Sequence, residues 1–116
     1  MPDESSPRSA EARLKELAGL LRTSPHLEPK AQGELADLLD ELARVVATAP
    51  PASADETAHL AESTAHMAQA LHQGRESALA SAQRRLEASA LRAETSVPLA
   101  TGIVRRILAA LADLGI

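Results

Sequence analysis

"ADETAHLAESTAHMAQALHQGRESALASAQRRLEASALRAET", residues 54–95, decides the fold. Forty-two residues pass without a proline, and Ala, Leu, Glu, Gln and Arg, all strong helix formers, dominate. A single helix of that length would span about 60 Å. Its apolar stripe is Leu60, Met67, Leu71, then Ala78 or Leu79, Ala82, Leu86 and Ala90. The stripe is narrow and Ala-rich, which is the pattern of a coiled-coil seam more than of a globular core helix. "SADE" at 53–56 reads as a capping box, with Ser53 capping forward and Glu56 reaching back. Gly74 sits in the middle and costs a helix about 1 kcal/mol relative to Ala. The expectation is one continuous coiled-coil-like helix over 54–95, and the alternative is a break near Gly74 into two helices.

Proline and glycine punctuate what lies on either side. Upstream, residues 49–53 ("APPAS") form a linker. Before it, residues 7–48 read as a helical hairpin. Its first helix runs from Pro7 or Ala10 to Arg22, with Ser6 or Ser9 as cap and Leu14, Leu17 and Leu21 on one stripe. "TSPHLEP" ends that helix, because the residue before a proline is pushed out of the α region. A second helix starts at Pro29 and carries Leu35, Leu38, Leu39, Leu42, Val45 and Val46 on a broad apolar face.

Downstream, residues 98–114 make a C-terminal amphipathic helix opened by Pro98. Ile103, Val104, Ile107, Leu108, Leu111 and Leu114 form its apolar face. "LADLGI" at 111–116 reads as a helix end in which Gly115 takes a positive φ and Ile116 folds back onto Leu111, the contact of a Schellman motif. The fold class is therefore all-α: a helical hairpin, one long coiled-coil-like helix and a C-terminal amphipathic helix, in a single helical domain over 1–116.

Composition supports that class and narrows the functions. The chain has no Phe, Tyr, Trp or Cys and only two Met. Strands favour aromatic and β-branched residues, which are scarce here. A net charge of −4 with isolated basic pairs at Arg84-Arg85 and Arg105-Arg106 lacks the clustered basic face of a nucleic-acid binder. Without aromatic residues there is no base-stacking platform either. Absent cysteine excludes a disulfide framework and a thiolate zinc site. No run approaches the ~18 apolar residues of a transmembrane helix, and "MPDESSPRS" lacks the features of a signal peptide. The expected location is the cytoplasm.

"VPLATGIVRRILAALADLGI" at 97–116 resembles the C-terminal signature of a bacterial family of small helical proteins, the domain of unknown function 4404. Pro98, Gly102, Arg105, Ile107, Leu108, Leu111, Gly115 and Ile116 stand at matching places; Val97 replaces the family's His. "LKELAGLLRTSPHLEPKAQGELADLLDELARVV" at 14–46 is similar to the family's N-terminal hairpin. The resemblance implies a helical fold and brings no activity, cofactor or catalytic residue.

One constellation has the look of a site. His59, Glu62 and His66 recur at i, i+3, i+7 and project from one helix face. Imidazole and carboxylate suit zinc or another divalent ion. The bland reading is a solvated polar face beside Leu60 and Met67, with Glu62–His66 as a weak i, i+4 pair. His72 and His26 stand apart, and Asp37, Asp40 and Glu41 read as a solvated face. No nucleophile elbow and no Gly-rich phosphate loop occurs. The sequence thus assigns no catalytic, cofactor or metal residues. It points to a non-enzymatic scaffold or protein-interaction module, self-associating as a homodimer through the leftover Ala/Leu seam, with Leu79 and Leu86 at its centre. The alternatives are a metal-binding His/Glu face, and peripheral membrane association through residues 98–116, where only two cations and no aromatic residue favour lipid.

Overall fold

The chain turns back on itself at Gly74. The computed structural model describes residues 7–115, and five α-helices run through it: α1 (Pro7–Arg22), α2 (Pro29–Ala47), α3 (Ala54–Gln73), α4 (Glu76–Ala93) and α5 (Pro98–Asp113). Among these residues there is no strand. The fold is an all-α helical bundle, and the segment expected as one helix is two.

Gly74 carries φ +68°, the left-handed conformation. Its N–H donates to the Leu71 carbonyl (3.1 Å), and the Arg75 N–H donates to the Ala70 carbonyl (3.2 Å). That pair of bonds is a complete Schellman motif, so the last carbonyls of α3 are satisfied without continuing the helix. The same grammar recurs at the chain end. Gly115 has φ +78°, and its N–H donates to the Ala112 carbonyl at 3.0 Å. The expected contact of Ile116 with Leu111, and a cap from Ser6, lie outside the described residues.

A second feature holds the turn at Gly74 closed. A Cβ added at Gly74 would sit 2.9 Å from Nε2 of His26, so the imidazole from the α1–α2 turn lies directly over the glycine. Beside it, Gln32 Nε2 donates to the Ser24 carbonyl (2.6 Å), and Ser24 Oγ and His72 Nδ1 are 3.3 Å apart. The two helical hairpins therefore grip each other by their turns.

The helices close into a ring. α1 packs against α2 and α3, α2 against α1 and α5, and α4 against α3 and α5. Within the α3–α4 hairpin, the Ser63 and Ser89 hydroxyls pair at 3.0 Å in the interior and fix the antiparallel register. The longest dimension of the molecule is 38 Å, far short of the ~60 Å that an unbroken helix would need.

Folding back changes the fate of the seam. Leu60, Met67, Leu71, Leu79 and Leu86 are all buried inside the chain's own core. Each fully buried leucine contributes about 1.5–3 kcal/mol, so the fold recovers internally what a second chain was expected to supply. Leu79 and Leu86 are thus core residues here, and lysine at either would strand a charge in the interior.

The core is built from alanine and aliphatic side chains, with no aromatic residue. Ala18, Ala36, Ala43, Ala61, Ala65, Ala68 and Ala100 are essentially inaccessible within the packed helices. Small side chains there let neighbouring backbones approach closely. Leu14, Leu21, Leu35, Leu39, Leu42, Ile103, Ile107 and Leu111 fill the space between.

Proline opens α1, α2 and α5 as expected. The expected capping box at Ser53 does not form. Residues Pro51–Ser53 make a 3-10 turn that runs into α3, and Ser53 (φ −117°, ψ 14°) lacks the extended backbone that a capping side chain needs. Its hydroxyl turns back instead to the Pro50 carbonyl at 3.4 Å.

Candidate functional site

The His59, Glu62 and His66 face of α3 is solvent-exposed, and its members serve different neighbourhoods. His59 borders a shallow cleft with Asp55, Glu56 and Arg92; His66 borders another with Arg75 and Arg85. Glu62 borders neither. Among the described residues, no three His, Asp or Glu side chains converge as metal ligands. The helix across from this face, α4, lines the same clefts with Arg92 beside His59 and Arg85 beside His66, cations that repel a metal ion and supply no ligand.

The acidic face of α2 is engaged in ion pairs. Arg22 Nη2 donates to Asp37 Oδ1 (3.0 Å) and Asp40 Oδ2 (2.9 Å), tying α1 to α2. The bond to Asp37, then that to Asp40, holds the Arg22 guanidinium above its usual pKa. Arg106 Nη2 donates to Glu41 Oε1 at 2.8 Å and ties α5 to α2. Arg105 pairs with Glu94 at 3.1 Å across the α4–α5 turn. These pairs are exposed, so solvent screens them and each contributes little to stability.

The apolar face of α5 is occupied as well. Ile103, Val104, Ile107 and Leu111 point into the core against α2 and α4. A membrane would have to undock this helix before reaching them. No helix among the described residues is long and apolar enough to cross a bilayer.

Three surface features remain. At the end of the bundle where the turns meet, Leu27, Leu71 and Leu79 floor a cleft of about 460 Å³ rimmed by His26, Glu76, Gln83 and Gly115. Between α3 and α4 runs a second groove of about 400 Å³ that includes His66, Arg75 and Arg85. At the opposite end of α4, two leucines stand in solvent: Leu91 is 68% exposed and Leu99 69%. Leu91 lies in the last turn of α4 and Leu99 in the first turn of α5. Leu91 follows Ala90, the last residue of the stripe, and is left uncovered by the hairpin; Leu99 had no sequence signal beyond lying next to Pro98.

Compared with known proteins, residues 35–116 match the model of a family described as "Domain of unknown function (DUF4404)". The match starts in α2 and takes in α3, α4 and α5, so the N-terminal part of the resemblance, residues 14–34, falls outside it. No curated protein and no solved structure matches the chain.

Proposed function

Since the chain belongs to the DUF4404 family, whose description carries no activity, we propose from its surface that it is a non-enzymatic helical interaction module that pairs weakly with a second copy of itself. The observation that carries this reading is the exposure of Leu91 and Leu99 beside the α4–α5 turn, in a bundle that buries nearly every other large apolar side chain. Exposed apolar side chains grouped within a polar rim favour association. Charged residues stand nearby in the chain: Arg92 follows Leu91, and Glu94 pairs with Arg105 at 3.1 Å.

Magnitudes set the strength. Covering two-thirds of a leucine contributes about 1–2 kcal/mol, so four leucines across a twofold contact give roughly 4–8 kcal/mol. Association itself costs at least about 4 kcal/mol. At the upper end the balance is about 4 kcal/mol, a weak dimer with a dissociation constant of about 1 mM. In this reading the protein works in the cytoplasm, where a cysteine-free chain needs no disulfide to fold.

Sedimentation equilibrium from about 0.1 mM to about 5 mM brackets that affinity. The wild-type weight-average mass should rise with concentration, and L91K/L99K should stay monomeric with an unchanged helical spectrum. A wild-type protein that remains monomeric throughout refutes the proposal.

A further inference from the structure

We infer that the groove between α3 and α4 is a binding site for a phosphomonoester dianion, held by Arg75 and Arg85. Two arginines and His66 share this groove with the side-chain donors Gln69, Gln73 and Ser81, and no carboxylate borders it. The other clefts described above each contain carboxylates or lack this cationic set: Glu76 in the end cleft, Asp55 and Glu56 beside His59. A groove along the α2–α5 face is lined by Glu34, Asp37, Glu41 and Asp113. In a chain of net charge −4, a carboxylate-free groove bearing two guanidinium groups is a local reversal of sign.

The arginines are uncommitted. Arg22, Arg105 and Arg106 all bind carboxylates, whereas neither Arg75 nor Arg85 has an ion pair among the described residues. A guanidinium offers a planar fork of N–H donors that matches two oxygens of a phosphate. Gln69 is oriented to help. Arg13 Nη2 reaches its Oε1 at 3.4 Å. Arginine is only a donor, so this contact fixes the amide oxygen toward α1 and leaves the NH₂ group free to donate. The floor contributes access: Ala70 and Ala82 are short, so an anion can settle between the helices. At about 400 Å³ the groove has the size of a small-molecule site.

Folding creates this arrangement. On one continuous helix His66 and Arg75, nine residues apart, would lie on opposite faces, because nine steps of about 100° bring the second residue half a turn out of phase. The Gly74 turn sets both on one groove and brings Arg85 across from His66. The end of α3 and the start of α4 meet here with opposed partial charges, so the positive character comes from the side chains.

A phosphomonoester group occurs both on small solutes and on the headgroup of phosphatidic acid, and the test separates these. Inorganic phosphate is titrated into the ¹⁵N-labelled full chain at constant ionic strength, followed by amide and arginine Nε–H shifts. Expected are saturable shifts confined to residues 66–85, with a dissociation constant of about 1 mM. R75Q and R85Q should each weaken binding at least about five-fold, while R84Q, the same charge change outside the groove, should leave it within about two-fold. The spectra themselves report that the variants are folded. In the second arm, the chain is sedimented with phosphatidylcholine vesicles with or without phosphatidic acid. Capture that needs phosphatidic acid and is lost in R75Q/R85Q assigns the headgroup as the source; saturable phosphate binding without capture assigns a free solute. Shifts that stay linear with phosphate, or an R84Q variant as weakened as R85Q, overturn the site.

Discussion

Replacing Gly74 with alanine separates the hairpin from the continuous helix by the sign of its effect. If residues 54–95 formed one helix, Gly74→Ala would stabilise the chain by about 1 kcal/mol through helix propensity alone. In the hairpin the same change must place an L-residue at φ +68°, which costs about 1–2 kcal/mol. It also places a Cβ 2.9 Å from His26 Nε2, so the imidazole must move off the turn. Part of this is offset, because alanine lowers the entropy of the unfolded chain by about 0.4–1 kcal/mol. The net expectation is a loss of about 1–2 kcal/mol, and a fall in melting temperature of about 5 °C or more for a domain of this size. Urea unfolding followed by circular dichroism at low micromolar concentration measures it. Combining the change with His26→Ala should recover the steric part and leave the backbone part. A G74A variant that melts higher than wild type refutes the hairpin turn.

Two further perturbations test the interior. Thr101 Oγ1 is buried and has no hydrogen-bond partner among the described residues; Thr101→Val keeps the branched shape and removes the orphan hydroxyl, so it should raise stability by up to about 1 kcal/mol in the same urea assay. A fall of more than about 1 kcal/mol would mean that the hydroxyl is satisfied. The Ser63–Ser89 bond, by contrast, is a closed pair. Either serine changed alone to alanine strands its partner and should cost about 1–2 kcal/mol, whereas the double change should cost less than the sum of the two, and a strictly additive cycle would refute the pairing.

How much of this was legible depended on where the deciding force was local. The starts of α1, α2 and α5 were readable because Pro7, Pro29 and Pro98 act through their own fixed φ and missing N–H. The C-terminal turn was readable because glycine stands where a helix runs out. Gly74 stands in the same relation to "ALHQ" as Gly115 does to "LADL", and that parallel was available in the sequence. What hid it was the helix-forming sequence on both sides, which makes a glycine cost of about 1 kcal/mol look tolerable. The decision was tertiary: His26 from another hairpin covers Gly74, and Ser63 meets Ser89 only once the chain has reversed. Surface features were less legible still. Leu99 and Leu91 differ from buried leucines only in what the fold leaves uncovered, and the Arg75–Arg85 groove does not exist before the turn forms.

The seam over 60–86 did demand a partner, and the structure shows which one is nearest. A reversed α4 covers α3 at the entropy of closing a two-residue turn, and loop closure grows only slowly with length. A second chain offering the same surface must first give up translational and rotational freedom worth at least about 4 kcal/mol. The turn itself is cheap, because glycine takes the left-handed conformation without the penalty any other L-residue carries. Both terms favour the hairpin at ordinary concentrations. They also fix where any self-association must occur. Leu60, Met67, Leu71, Leu79 and Leu86 are already committed to the core, so an intact bundle can meet a second copy only through what lies outside it, and among the described residues the large apolar side chains most exposed there are Leu91 and Leu99.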